Sequence, residues 1–325
     1  MQITTIGLGQ VGVSVGLALA KFKQDISLVG YDKDIAKQNF AQGLGACRKT
    51  YINRYDALKD ADIVLLAVPY QEFKKILPEI KDDLKPTAVV MSFAPNKAQS
   101  AGLFQSVYAG KNHFIGLTVS YNPEYSRILD PGEVIEKDDL FSNTTIGISV
   151  PTGTDETALK YASDLVALLG AKVYYLDLLE ADGIERTAHL FPQLVAGLAL
   201  GATIQRPGWN DSRDTISQPY LNLAAAFGYE KAEDMANLLV DEQDMSLAMI
   251  DQLISSATAL RGMVADKDEQ SLAKYFSGLL EKKDATLAGR RSGRWEVSKE
   301  KEETKKGAAG FLRQLFFGNK KSGSR

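Results

Sequence analysis

The feature that most constrains this chain is the run Gly7-Leu8-Gly9-Gln10-Val11-Gly12. It lies between a short β-prone segment, QITTI at residues 2–6, and an Ala- and Leu-rich stretch of helical character, VSVGLALAKF. A strand that turns at once into a helix needs residues without side chains at fixed places. Gly7 allows the tight turn, Gly9 lets an anionic group approach the backbone, and Gly12 lets the helix pack closely on the strand. The start of that helix offers N–H groups and the positive end of its dipole, which suit a diphosphate. Asp32 closes a second β-prone run (ISLVGY, residues 26–31), where its carboxylate can accept hydrogen bonds from ribose hydroxyls. The spacing predicts dinucleotide binding by Gly7, Gly9, Gln10, Val11, Gly12 and Asp32. NAD is the expected cofactor, because a carboxylate at position 32 repels a 2′-phosphate; Lys33 beside it leaves NADP open. Ala67, Val68 and Pro69 end another apolar run and are expected to border the nicotinamide half.

The remaining pattern extends this start into a fold. Residues 62–69, 87–93, 113–119 and 144–150 read as strands, several of them continuous apolar runs typical of a sheet covered on both faces. Residues 71–84 and 155–169 carry apolar side chains at helical spacing, and residues 172–176 form a further short strand. Strands alternating with helices predict an α/β Rossmann domain, a doubly wound parallel sheet, over residues 1–151. The second half is helical, with one long stretch from Glu180 to Ile204 and further helices at 218–228, 230–239, 241–262 and 266–282. Residues 152–288 are therefore expected to form an all-α domain for substrate binding and dimerisation, followed by a basic tail at 289–325.

Composition removes several classes of function. With one cysteine, Cys47, and two histidines, His113 and His189, neither a disulfide scaffold nor a Cys- or His-rich metal centre can be built, and no metal is expected. Residues 290–325 carry a net charge of +7 and the rest of the chain −10, which does not fit a nucleic-acid-binding body. No apolar run is expected to reach the ~18 residues that span a bilayer, and the start has no basic segment before its apolar stretch, so a cytoplasmic protein is expected. Within the tail, Phe311, Leu312, Leu315, Phe316 and Phe317 form a short apolar cluster among basic residues. Docking on the protein's own body or across a dimer is favoured over membrane contact, since so few residues bind a membrane weakly.

Taken in order, IGLGQVGVSVGLALA, GYDKD, DADIVLLAVP, DGIERTAHLFPQLVAGLAL and GWNDSRDT resemble the prephenate/arogenate dehydrogenases of tyrosine biosynthesis. The resemblance implies an NAD(P)-dependent oxidoreductase that moves a hydride between the nicotinamide and a small carboxylate substrate in a cleft between domains, and a homodimer through the helical domain. It places His189 on the site helix as acid/base or hydrogen-bond donor. Asp182, Arg186 and His189 share one face of that helix, and Arg186 is expected to grip a substrate carboxylate with two prongs. Arg213, in GWNDSRDT, and Asn122 are further substrate-binding candidates, with Arg127 in the same loop as Asn122.

Two departures from the family pattern bear on the chemistry. The family's catalytic histidine follows a strand reading like Phe-Val-Gly-x-His-Pro-Met; here the run is Phe114-Ile115-Gly116-Leu117-Thr118, with Thr118 in the histidine's place. A threonine hydroxyl has no useful pKa for proton removal. The family's Asp-x-x-Ser-x-Lys stretch becomes MSFAPNK, with Ser92 and Lys97 read as present but out of register. His113 precedes its strand and is expected at the opposite end. Two other readings stay open: a β-hydroxyacid-type dehydrogenase, although residues 180–204 lack that group's helix lysine, and a catalytically silent NAD(H)-binding regulatory or scaffold protein.

Overall fold

The computed structural model describes residues 1–292 except 23, 109, 111, 126–135 and 230. Arg127 and the tail beyond Ser292 lie outside the described residues. Two compact units are present, Met1–Ser255 and the chain from Ser256 onward, with the division inside one helix.

The first unit opens with β1 (Gln2–Ile6), α1 (Gln10–Leu19), β2 (Ser27–Tyr31), α2 (Ile35–Gly43), β3 (Lys49–Thr50), α3 (Arg54–Leu58), β4 (Ile63–Leu66) and α4 (Tyr70–Glu79). It continues with β5 (Val89–Ser92), α5 (Lys97–Tyr108), β6 (His113–Thr118), β7 (Thr145–Ser149), α6 (Glu156–Leu168) and β8 (Lys172–Leu176). These strands form one sheet in the order β3-β2-β1-β4-β5-β6-β7-β8. The central strands IVLL and VVMS are buried at every position, because helices cover both faces. Along β4, Ile63 and Leu65 face the cluster with α1 and α6, while Val64 and Leu66 face the one with α4 and α5. Each such side chain contributes about 1.5–3 kcal/mol on burial.

Neighbouring strands are parallel except at one place, where β7 runs antiparallel to β6. Among the described residues between Thr118 and Thr145 no α-helix carries the chain across, so the strand comes back in the opposite direction. The sheet also runs past the division expected at 151. A helical crossover is the usual way to join parallel neighbours, and here α6 brings β8 alongside β7. The purely helical part begins at Leu178.

That part consists of α7 (Leu178–Glu185), a π-helical turn (Arg186–Leu190), α8 (Phe191–Ile204), α9 (Trp209–Ser212), α10 (Gln218–Ala225), α11 (Ala232–Asp241) and α12 (Gln243–Ala265). In the second unit α12 ends and α13 (Glu269–Ser292) follows. The continuous helix Leu178–Ile204 is long and apolar enough, by length and composition, to cross a membrane. This corrects the expectation that no such stretch exists, since residues 187–204 carry no Asp, Glu, Lys or Arg, and His189 and Gln193 interrupt the apolar run without lowering the mean hydropathy far.

Parallel strands end at a common edge. Ile6 lies beside Tyr31 and Leu66, Leu66 beside Ser92, and Ser92 beside Gly116. The glycine turn, Asp32, Pro69, the start of α5 and Thr118 thus gather at the C-terminal edge. His113 pairs with Val89 at the opposite end.

The glycine turn is a close approach of three backbone segments. Gly7 has φ 93°, and a Cβ there would lie 2.3 Å from the Ala67 carbonyl oxygen. A Cβ at Gly12 would lie 2.0 Å from the Gly7 carbonyl oxygen. Neither contact can be relieved by moving a flexible side chain. We expect Gly12→Ala to cost about 1–3 kcal/mol of stability, measured by chemical denaturation, with Gly9→Ala far milder because a Cβ at Gly9 meets nothing within 4 Å.

Candidate active site

The edge holds two adjoining features, a crevice over the glycine turn and a cleft beneath the site helix. At the crevice, α1 opens on Gly9 with no side chain capping it. The Leu8 N–H donates to Asp32 Oδ2 at 2.8 Å, and the Asp34 N–H donates to Oδ1 at 2.9 Å. The Asp32 carboxylate is thereby held against the turn, facing the same side as the open position at Gly9. Lys33 is exposed and reaches Glu72 at 3.2 Å, so it is engaged away from a 2′-phosphate. Ala67 closes the turn through its N–H to the Ile6 carbonyl, 2.8 Å. Val68 lies where a Cβ on Gly7 would come within 2.7 Å of its side chain. Gln10, Val11 and Gly12 form the first turn of α1. The residues present fit a dinucleotide: an open backbone at Gly9, an uncapped helix start and a carboxylate held beside the turn.

The cleft, about 40 Å³ in volume, is lined by Pro69 and Tyr70 of α4, Pro95 and Asn96 before α5, Asp182, Glu185, Arg186 and His189 of the site helix, and Asp234 and Leu238 of α11. Asp182 is buried and accepts hydrogen bonds from the N–H groups of Lys97 (2.5 Å) and Ala98 (3.1 Å), so it caps α5 from another helix. Burial pushes its carboxyl above the ordinary range, and the two N–H donors pull it back. Lys97, fully buried, donates from Nζ to the Ala94 carbonyl (2.5 Å) and to Glu185 Oε2 (3.1 Å). Burial likewise raises the Glu185 carboxyl, opposed by Lys97 and His189. Tyr70 donates to Gln99 Oε1 at 2.8 Å, and its phenol is pushed up to about 12, chiefly by burial.

The structure places the expected substrate residues unevenly. Asp182, Arg186 and His189 do share one face and line the cleft. Arg186, however, gives its Nε to Glu242 Oε2 at 2.5 Å and lies 3.9 Å from Asp182, so its fork is already taken up by carboxylates of this chain. His189 is exposed at the rim, beside Gln193 (3.3 Å) and with its ring edge toward Tyr229. Pro192 lies in the first turn of α8, and just before it the chain widens into the π turn, with the Phe191 N–H reaching back to the Arg186 carbonyl. Arg213 is exposed beside Asp214 and does not line the cleft. Asn122 is buried and spent on its own loop, bonding Leu140, Asp139 and Glu124. Thr118 stands at the edge as expected, but its hydroxyl is buried with no hydrogen-bond partner among the described residues and does not line the cleft.

Sequence reasoning missed Glu185, Asn96 and Glu242. Glu185 had a signal, since it lies one helical turn before His189 and three residues after Asp182. Asn96 shows itself only in space: it is buried, its Nδ2 lacks a partner, and it adopts a left-handed φ of 61° that non-glycine residues rarely hold. Lys97 was read out of register. Counted from Ser92 at the end of β5, it falls on the lysine of Asp-x-x-Ser-x-Lys, while Ser92 and Pro95 replace the Asp and Ser.

Comparison with known proteins agrees with this geometry. Residues 15–175 match the family described as prephenate dehydrogenase, nucleotide-binding domain, a stretch that begins just after the glycine turn. Over most of its length the chain is similar to the prephenate/arogenate dehydrogenases. The prephenate dehydrogenase of Lactococcus lactis is 22% identical over 285 residues, covering 85% of this chain and 74% of that protein. The cyclohexadienyl dehydrogenase of Zymomonas mobilis is 22% identical over 284 residues, covering 85% and 92%. Among solved structures, the A. aeolicus prephenate dehydrogenase in complex with hydroxyphenyl propionate and NAD+ superposes with a TM-score of 0.74 at 17% identity, covering 87% of this chain and 97% of that one. The Synechocystis arogenate dehydrogenase gives 0.67 at 18%, covering 87% and 99%. The match to a nucleotide-binding domain thus covers most of the sheet, and the fold is shared with these dehydrogenases.

The Arg186–Glu242 pair offers a stability test. Both side chains are largely buried, so removing one leaves a charge without its partner. Arg186→Ala is expected to cost about 3 kcal/mol by denaturant unfolding, and the Arg186→Ala/Glu242→Ala double variant less than the sum of the single losses.

Proposed function

We propose that this chain is an NAD-dependent dehydrogenase that oxidises a small carboxylate-bearing hydroxy substrate of the prephenate/arogenate class. The observation that carries the reading is Asp32 clamped to the Leu8 N–H, facing the open backbone at Gly9. When bound, the nicotinamide supplies the hydride acceptor. The chain's own residues do the rest: Gly7, Gly9 and Gly12 bring the diphosphate against the backbone, Asp32 takes the ribose hydroxyls, and Pro69 sits where crevice and cleft meet. His189 at the rim donates a hydrogen bond to the substrate. The cleft is narrow enough that its walls part on binding; the Lys74–Asp241 pair joining α4 to the end of α11 is half-exposed and weak enough to yield. Thr118 holds the histidine's place without its chemistry, so the proton must leave by another group.

The helical part supports a homodimer. On α8 through α12, Leu198, Ile204, Leu221, Val240, Leu247 and Ile254 are exposed, and α13, taken by itself, exposes Phe276, Leu279 and Leu280. Apolar surface on this scale marks an interface. A membrane is a poorer partner for the Leu178–Ile204 helix, because its Asp182 and Gln193 are buried in polar contacts with the chain itself. A cytoplasmic dimeric enzyme is the reading these features support.

Three measurements check it. Isothermal titration should show NAD binding more tightly than NADP, with Asp32→Ala weakening NAD about tenfold, the equivalent of about 1.4 kcal/mol. Absence of NAD binding at millimolar ligand defeats the reading. NADH formation with prephenate and arogenate tests the substrate class. Light scattering should give twice the chain mass; a monomer at all concentrations removes the dimer.

A further inference from the structure

We propose that Glu185 is the proton acceptor of this site, held in that role by Lys97. The inference rests on the dehydrogenase reading and deepens it. Oxidising a carbinol requires a base within reach of the hydroxyl, and Thr118 cannot serve. Among the described residues, the cleft offers Asp182, Glu185, Asp234 and His189. Asp182 has both oxygens occupied by the N–H groups of Lys97 and Ala98. Asp234 and His189 stand at the outer wall and rim. Glu185 lies between these layers. Its side chain is 21% exposed, and among the described residues its one hydrogen-bond partner is Lys97, at 3.1 Å to Oε2 and 3.5 Å to Oε1. The longer contact leaves Oε1 able to take a substrate hydroxyl.

Lys97 cannot turn away from this task. Its stem passes under β6, where a Cβ on Gly116 would come within 2.9 Å of Lys97 Cδ, and its Nζ is fixed a second time by the Ala94 carbonyl. The charged and titratable groups around Glu185 are Lys97 from α5, Tyr70 from α4, Asp234 from α11, Glu242 ahead of α12, and Asp182, Arg186 and His189 of its own helix. Burial favours the protonated acid and Lys97 the carboxylate, and the balance leaves proton affinity above that of an ordinary carboxylate. A carboxylate of raised proton affinity is a better proton acceptor than an ordinary one. In the step, the substrate C–H bond breaks with its electron pair going to the nicotinamide, which is reduced. The O–H bond breaks, its proton passes to Glu185, and the carbon is oxidised as the C=O bond forms.

The test uses the full chain with NAD and, in parallel, prephenate and arogenate. In the wild type, kcat/KM rises with pH through one ionisation. Glu185→Gln should lower kcat at least about a hundredfold and remove that rise while leaving NAD affinity unchanged by calorimetry; Glu185→Asp should recover part of the rate. Lys97→Met should move the rise to higher pH, because the carboxylate loses its counter-ion. His189→Asn should raise KM and keep the rise in place. The proposal is overturned by a wild-type pH profile in Glu185→Gln, by loss of the rise in His189→Asn instead, or by NAD binding with turnover of neither substrate. If Glu185→Gln does not fold, an unmoved profile in Lys97→Met overturns it. Failure to bind NAD defeats the dehydrogenase reading, and the Glu185 proposal with it.

Discussion

The backbone contact among Gly7, Gly12 and Ala67 governs the rest of this structure. With the Gly7 carbonyl only 2.0 Å from where a Gly12 Cβ would stand, α1 can start directly on the end of β1. That placement sets the helix start at the sheet's C-terminal edge and presents Gly9 to the open crevice. The neighbouring strands then supply the other parts by register alone. Tyr31 beside Ile6 delivers Asp32, and Leu66 beside Ile6 delivers Ala67 to Pro69. The binding edge is therefore a consequence of close packing, with few side chains committed to it.

The second half of the site is built on charge. Asp182, Glu185 and Arg186 leave one helix and meet the start of α5 and the α11–α12 junction, where Lys97 and Glu242 complete two ion pairs. Buried pairs of this kind contribute little net stability, because desolvation offsets attraction, yet breaking one is costly. They fix orientation instead. The site helix cannot rotate without uncapping α5 at Lys97 and Ala98, and its π turn keeps Arg186 and His189 on the cleft side despite Pro192. Glu185 is thus a carboxylate held by a buried lysine at the wall of the cleft.

Much of this was legible along the chain. The glycine spacing, Asp32 and the apolar runs at 62–69 and 87–93 announced both the sheet and its nucleotide edge, because each depends on short-range rules of turn geometry and periodicity. The short β3 and the antiparallel course of β7 were not legible: two residues carry no periodicity, and strand direction depends on how the connection travels. Arg186 was read as a carboxylate anchor for a ligand, since nothing near it in sequence reveals Glu242, fifty-six residues away. Asn122 looked like a ligand contact from its place after β6 but is consumed by its own loop.

The sequence by itself determined that a Rossmann-type sheet would form, that the glycine turn and Asp32 would meet at one edge of it, and that His113 would stand at the opposite end. Those outcomes follow from steric rules acting over a few residues. Tertiary structure alone decided which charges neutralise one another, that Lys97 is sealed beneath β6, and that Glu185 lines the cleft while bonded to Lys97. Electrostatic partnership depends on distance in space, which pairs residues scores of positions apart that no local pattern connects.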